Sequence, residues 1–130
     1  MFHSFSSQAD RRKSGGSDFL ELQFCRMPPE TAIEKIIAVD NIFHWSDDSL
    51  YISGDDTNVF LNAYSHILGC GIYNNLKTGV ADPSGINYYK PGSIDAIAAR
   101  LLENKPADYK KLAAWLSAAK KYNGFYLLGV

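Results

Sequence analysis

The sequence predicts a single α+β domain with a mainly antiparallel sheet of about four to six strands and about four helices. Length and composition are the first observation. The chain has 130 residues, 46% hydrophobic and 21% charged, roughly one domain's worth of an ordinary globular mix. The second is the order of the segments, which reads strand, helix, hairpin, helix, two weak strands, two helices and a last strand. The third is that no internal repeat, coiled coil or linker separates them.

Residues 1–17, MFHSFSSQADRRKSGGS, are rich in Ser, Gly and charge and read as a mobile tail or leader, leaving 18–130 as the domain. From Phe19 to Cys25 the chain alternates. Leu20, Leu22 and Phe24 share one side and Glu21 and Gln23 the other, as in a half-buried strand. Pro28 and Pro29 stop that strand. Ala32, Ile33, Ile36 and Ile37 then fall at helical spacing, so a short amphipathic helix is predicted over 29–39. Ile42-Phe43-His44-Trp45 and Leu50-Tyr51-Ile52 are β-prone runs flanking Ser46-Asp47-Asp48-Ser49, the pattern of a hairpin.

Gly54 breaks the second of these strands, and one of Asp55, Asp56 or Thr57 is expected to cap the next helix. That helix carries Val59, Phe60, Ala63, Tyr64 and Ile67 on one face and ends at Gly69 and Gly71. Ile72-Tyr73 and Ile86 to Tyr89 are weaker strand signals around the turn Asp82-Pro83-Ser84-Gly85. Ser93 is the expected cap of a helix containing Ile94, Ile97, Leu101 and Leu102, interrupted by Asn104 and Pro106. Over 107–122, Leu112, Trp115, Leu116, Ala119 and Tyr122 make a clean apolar stripe. Asn123-Gly124 closes that helix, and Phe125 to Val130 reads as a buried terminal strand.

Charge is unevenly placed. The net charge is −1, but residues 14–104 hold twelve acids against five bases, while 105–130 hold five lysines against Asp108. Between Lys35 and Lys77 there is no Lys or Arg, yet Asp40, Asp47, Asp48, Asp55 and Asp56 all fall there. Such asymmetry steers a charged partner. Eight Tyr contribute to an aromatic content of 13%. Tyr73 and Tyr88 lie beside Asn74, Asn75 and Asn87, and Tyr with Asn makes adaptable contact surface. The predicted partner-binding face therefore comprises Asp47, Asp48, Asp55 and Asp56, with Tyr51, Tyr73 and Tyr88 as anchors.

Chemistry-bearing motifs are sparse. His3, His44 and His66 are scattered; His66 and Cys70 are four apart, but Gly69 is expected to end their helix first. No serine sits in a nucleophile elbow, and no glycine pattern cradles phosphates. No catalytic residue, metal site or cofactor is predicted. The acidic centre and the lack of an aromatic RNA-binding run argue against nucleic acid as a direct partner. Free Cys25 and Cys70, and the lack of a signal-like or membrane-length apolar run, make the cytoplasm the expected address.

The passage SDDSLYISGDDTNVFLNAYSHILG, a strand leading through an acidic cap into a helix, resembles bacterial toxin-immunity proteins in layout. Such proteins bind one cognate toxin in the cytoplasm, often a nuclease, and block its site or its substrate groove. The resemblance implies a non-enzymatic binding protein acting through an acidic and aromatic face, since clustered carboxylates imitate phosphates towards a basic cleft. It covers about a fifth of the chain and assigns no residue a role. A small enzyme, or an inhibitor or adaptor of another class, remains the alternative at this stage.

Overall fold

The computed structural model describes residues 1–15 and 19–129. Strand β2 (Phe19–Phe24) organises it, pairing antiparallel with β3 (Leu50–Ser53) on one side and β7 (Phe125–Leu128) on the other. Beyond β3 lies β1 (Phe2–His3), and beyond β7 come β6 (Ile86–Tyr89), β4 (Gly71–Tyr73) and β5 (Thr78–Gly79). All six neighbouring pairs are antiparallel. The fold is α+β, as predicted, with two more short strands at the edges.

Period-two side-chain alternation divides the sheet into two faces. Leu20, Leu22, Phe24, Ile52, Phe125 and Leu127 point to one, and three helices cover them. These are α3 (Thr57–Tyr64), α4 (Ile94–Asn104) and α5 (Tyr109–Ala119). Leu112, Trp115, Leu116 and Ala119 of α5 are all buried, so the predicted stripe does what its spacing implies. Trp115 stacks on Phe24 with ring centroids 4.2 Å apart.

The opposite face is covered less regularly. Cys25, Ile86, Tyr88 and Tyr126 pack against Ile36 and Ile37, at the end of α2 (Ile33–Ile36) and just after it. The helix expected over 29–39 thus shrinks to one turn, followed by a 3-10 turn at Val39–Asn41. Three β-branched isoleucines anchor it to the sheet, and at Ala38 the backbone is already extended.

Four expectations are corrected. Strand β2 is not half-buried: all six residues are buried, because this second layer covers Glu21 and Gln23 too. Ile42-Phe43-His44-Trp45 is not a strand, since both edges of β3 are already taken by β1 and β2. Side-chain bonds hold that connection instead, with the Ser46 N–H donating to the Tyr51 hydroxyl at 3.1 Å. Neither Asp56 nor Ser93 caps its helix through the side chain.

The fourth correction concerns the amino-terminal segment, which belongs to the domain. Phe2 is 2% exposed, pairs with Ile52, and meets Phe60 and Tyr64 edge-on. Phe5 packs on Phe19 and Tyr51, and α1 (Gln8–Gly15) follows. Apolar residues spaced among serines escape a composition-based reading, and burial of Phe2 offsets the entropy of ordering the segment. Residues 16 and 17 of the expected tail lie outside the described residues.

Candidate functional site

The strand registers set Tyr51, Glu21, Leu128 and Ile86 in one row across β3, β2, β7 and β6, on the face away from the helices. Above this row opens a cavity of about 400 Å³. Phe19, Glu21, Ile86 and Leu128 line its floor, and Val39 and Phe43 its mouth. Arg11 of α1 and His44 reach it from the sides. Val39 and Phe43 are 63% and 56% exposed, among the most exposed large apolar side chains described.

Glu21 is the unusual residue of the site. Only 6% of it is exposed, and three donors converge on Oε2: Ser49 Oγ at 2.7 Å, Gln23 Nε2 at 2.9 Å and the Tyr51 hydroxyl at 3.2 Å. Among the described residues no donor reaches Oε1. Burial pushes the Glu21 carboxyl above its ordinary range, and the hydrogen bonds from Ser49, Gln23 and Tyr51 and the charge of Arg11 offset this only in part. Arg11 stands with its guanidinium 5.6 Å from the Tyr51 ring centroid, and its Nε is buried without a partner among the described residues. No ion pair joins Arg11 to Glu21 among the described residues. A buried carboxylate with one oxygen open, beside apolar walls, accepts a hydrogen-bond donor or a cation.

The seven residues of the predicted face do not come together. Asp47 and Asp48 precede β3 and Asp55 and Asp56 follow it, roughly 20 Å apart along extended backbone. Asp48 is paired with Arg26, and its carbonyl accepts from Trp115 Nε1 at 2.9 Å, so it serves the fold. Asp55 and Asp56 lie in the 3-10 turn Gly54–Asp56 that enters α3, towards the helical face. Tyr51 and Tyr88 are buried and offer no anchoring surface. The Tyr88 hydroxyl donates to the Asn123 carbonyl at 2.7 Å, and burial raises both phenols well above their usual range. Tyr73 is half-buried, its hydroxyl 2.5 Å from the Val80 carbonyl. Of the seven, Asp47 and Asp55 are exposed, and of these two only Asp47 is close in the chain to the cavity's mouth.

His66 and Cys70 are not on one helix face, because α3 ends at Tyr64 before either. Among the described residues no three His, Cys, Asp or Glu side chains cluster to hold a metal ion, and no helix is long and apolar enough to cross a membrane. Sequence reasoning missed Glu21, Arg11 and Phe43. Glu21 looked like the solvent side of a strand, Arg11 like part of a basic tail, and Phe43 like a strand residue. The available signal was the apolar content of residues 33–45, enough to roof a second face of the sheet. No protein-family model matches the chain, and neither a curated protein nor a solved structure does.

Proposed function

We propose that this chain works as a binding protein that occludes a protein partner, in the manner of a toxin-immunity protein, through the cavity face of the sheet. The observation that carries this reading is the apolar lip. Val39 and Phe43 stand exposed at the mouth of a concave surface, where a partner's side chain can be desolvated. Asp40 and Asp47 are exposed on the same 39–48 segment, which has no Lys or Arg. An apolar centre with carboxylates at its rim suits a partner with a basic surface, and a basic nuclease toxin is one such partner. Of the face expected from the sequence, this reading keeps Asp47 and puts Phe43 in the place of the anchors Tyr51, Tyr73 and Tyr88.

Affinity capture from the native host, with bound proteins identified by mass spectrometry, tests the reading. The wild-type chain and a Val39→Asp/Phe43→Asp variant are run side by side. A basic protein held by the first and lost by the second, with equal melting of the two baits, is the expected result. Equal capture by both baits sinks the proposal.

A further inference from the structure

The cavity holds two opposite charges that do not touch. Glu21 closes its floor and presents Oε1, free of donors among the described residues. Arg11 reaches the same cavity with a buried Nε that has no acceptor among the described residues. Each lies near Tyr51, whose hydroxyl is 3.2 Å from Glu21 Oε2 and whose ring the guanidinium overlies. A carboxylate as buried as Glu21 is ordinarily paired with a cation, and Arg11, partly exposed, is the cation that lines the same cavity. Here the two groups line one cavity without pairing, and its remaining walls are mixed, with His44, Asn74 and Ser84 beside Val39, Ile42 and Phe43.

A lone cation placed on Glu21 would feel Arg11, and a lone anion on Arg11 would feel Glu21. A ligand carrying both signs satisfies both groups. Phe19, Ile86 and Leu128 leave the rest of the floor apolar. We propose that this cavity binds a free α-amino acid with an apolar side chain, its ammonium on Glu21 Oε1 and its carboxylate on the Arg11 guanidinium. In an α-amino acid the two charged groups share one carbon, so a single small molecule bridges acid and base. The cavity, about 400 Å³, has room for a side chain the size of leucine or phenylalanine over that floor. The inference goes beyond the protein-partner reading and does not rest on it, because the isolated chain suffices to test it.

The experiment is an amide-detected NMR titration of the full chain with L-leucine, L-leucinamide and N-acetyl-L-leucine. The amide removes the carboxylate and the acetyl group removes the ammonium, each without changing the side chain. L-Leucine is expected to saturate shifts at Glu21, Gly85 and Leu128 with a Kd of about 1 mM or tighter, and both derivatives to bind at least about tenfold more weakly. Arg11→Met and Glu21→Gln should each weaken L-leucine by about tenfold or more. Arg11 is partly exposed, so its variant keeps the test open even if Glu21→Gln unfolds. Three outcomes overturn the proposal: no saturation by about 10 mM L-leucine, either derivative binding as tightly as L-leucine, or unchanged affinity in the Arg11 variant.

Discussion

The two faces of the sheet solve the same problem by different means. On the helical face, α3, α4 and α5 lay apolar stripes on Leu22, Ile52, Phe125 and Leu127, and the largest polar groups there are tethered. The Trp115 indole donates to Asp48, and the Tyr64 hydroxyl donates to the Ala107 carbonyl at 2.6 Å. On the other face the roof is a one-turn helix and irregular chain, and beneath it lie Glu21 and Gln23. The three buried side-chain atoms without a partner among the described residues are Arg11 Nε, Gln23 Oε1 and Trp45 Nε1. All belong to β2 or to the segments flanking its second face. Buried apolar packing is concentrated on one face, and unspent hydrogen-bonding capacity, among the described residues, on the other.

The largest break in that contrast comes from Trp115. Its ring stacks on Phe24 and meets Phe125 at 5.5 Å, so Trp115→Ala leaves a cavity between helix and sheet. The expected cost is about 3–5 kcal/mol in denaturant unfolding. A variant that melts like the parent would show that α5 does not hold the sheet.

Phe2 sharpens the comparison, because it extends the helical-face core into a segment that composition alone assigns to a tail. Phe2→Ala removes two edge-on aromatic contacts and an edge-strand side chain, with an expected loss of about 3 kcal/mol. Polar bonds support the same segment: the Phe2 N–H donates to Asp108 Oδ2 at 3.1 Å, and Lys111 Nζ donates to the Phe2 carbonyl at 2.8 Å. A melting temperature unchanged by the substitution would return residues 1–7 to the status of a tail.

What was legible from the sequence follows the same division. The stripes of α4 and α5 and the strands at Phe19, Leu50, Ile86 and Phe125 depend on local periodicity, which one segment displays by itself. The second face does not have this property. Whether Glu21 faces water or a roof depends on where residues 33–45 settle, and that is decided by which edges of β3 are free. Strand β1 has only two residues, too few to show any period. Asp48 and Tyr51, expected at a partner-binding face, make their hydrogen bonds within the chain. Their polar atoms tie the connection before β3 to the fold.

Glu21 gives the next prediction, whose sign follows from burial. Its carboxyl holds a proton to higher pH in the folded chain than in the unfolded one. Its contribution to stability is therefore fully present below the ordinary carboxylate range and is lost as pH rises through the raised value. Glutamine has no proton to lose. Glu21→Gln should accordingly gain stability relative to wild type as pH climbs from about 4 to about 8. Chemical denaturation of both proteins across that range measures the difference, and a flat or opposite trend would mean that Glu21 is solvated.

The smallest effect on folding is expected at Asp47, and this is what makes it informative. Asp47 and Asp48 are neighbours in one turn, but Asp48 is paired with Arg26 and accepts from Ser46 Oγ at 2.9 Å, whereas Asp47 is exposed with no hydrogen bond among the described residues. Asp47→Asn should change unfolding free energy by no more than about 0.5 kcal/mol, as exposed substitutions do. Asp48→Asn should cost more, up to about 1 kcal/mol for a partly exposed ion pair. Binding should rank the two differently. Against a basic partner, removing the Asp47 charge slows association and flattens its salt dependence while leaving dissociation nearly unchanged. Stopped-flow association at low and at physiological ionic strength separates these terms. Equal rates and equal salt slopes for wild type and Asp47→Asn would remove the acidic rim from the binding face and leave the apolar lip at Val39 and Phe43 to act alone.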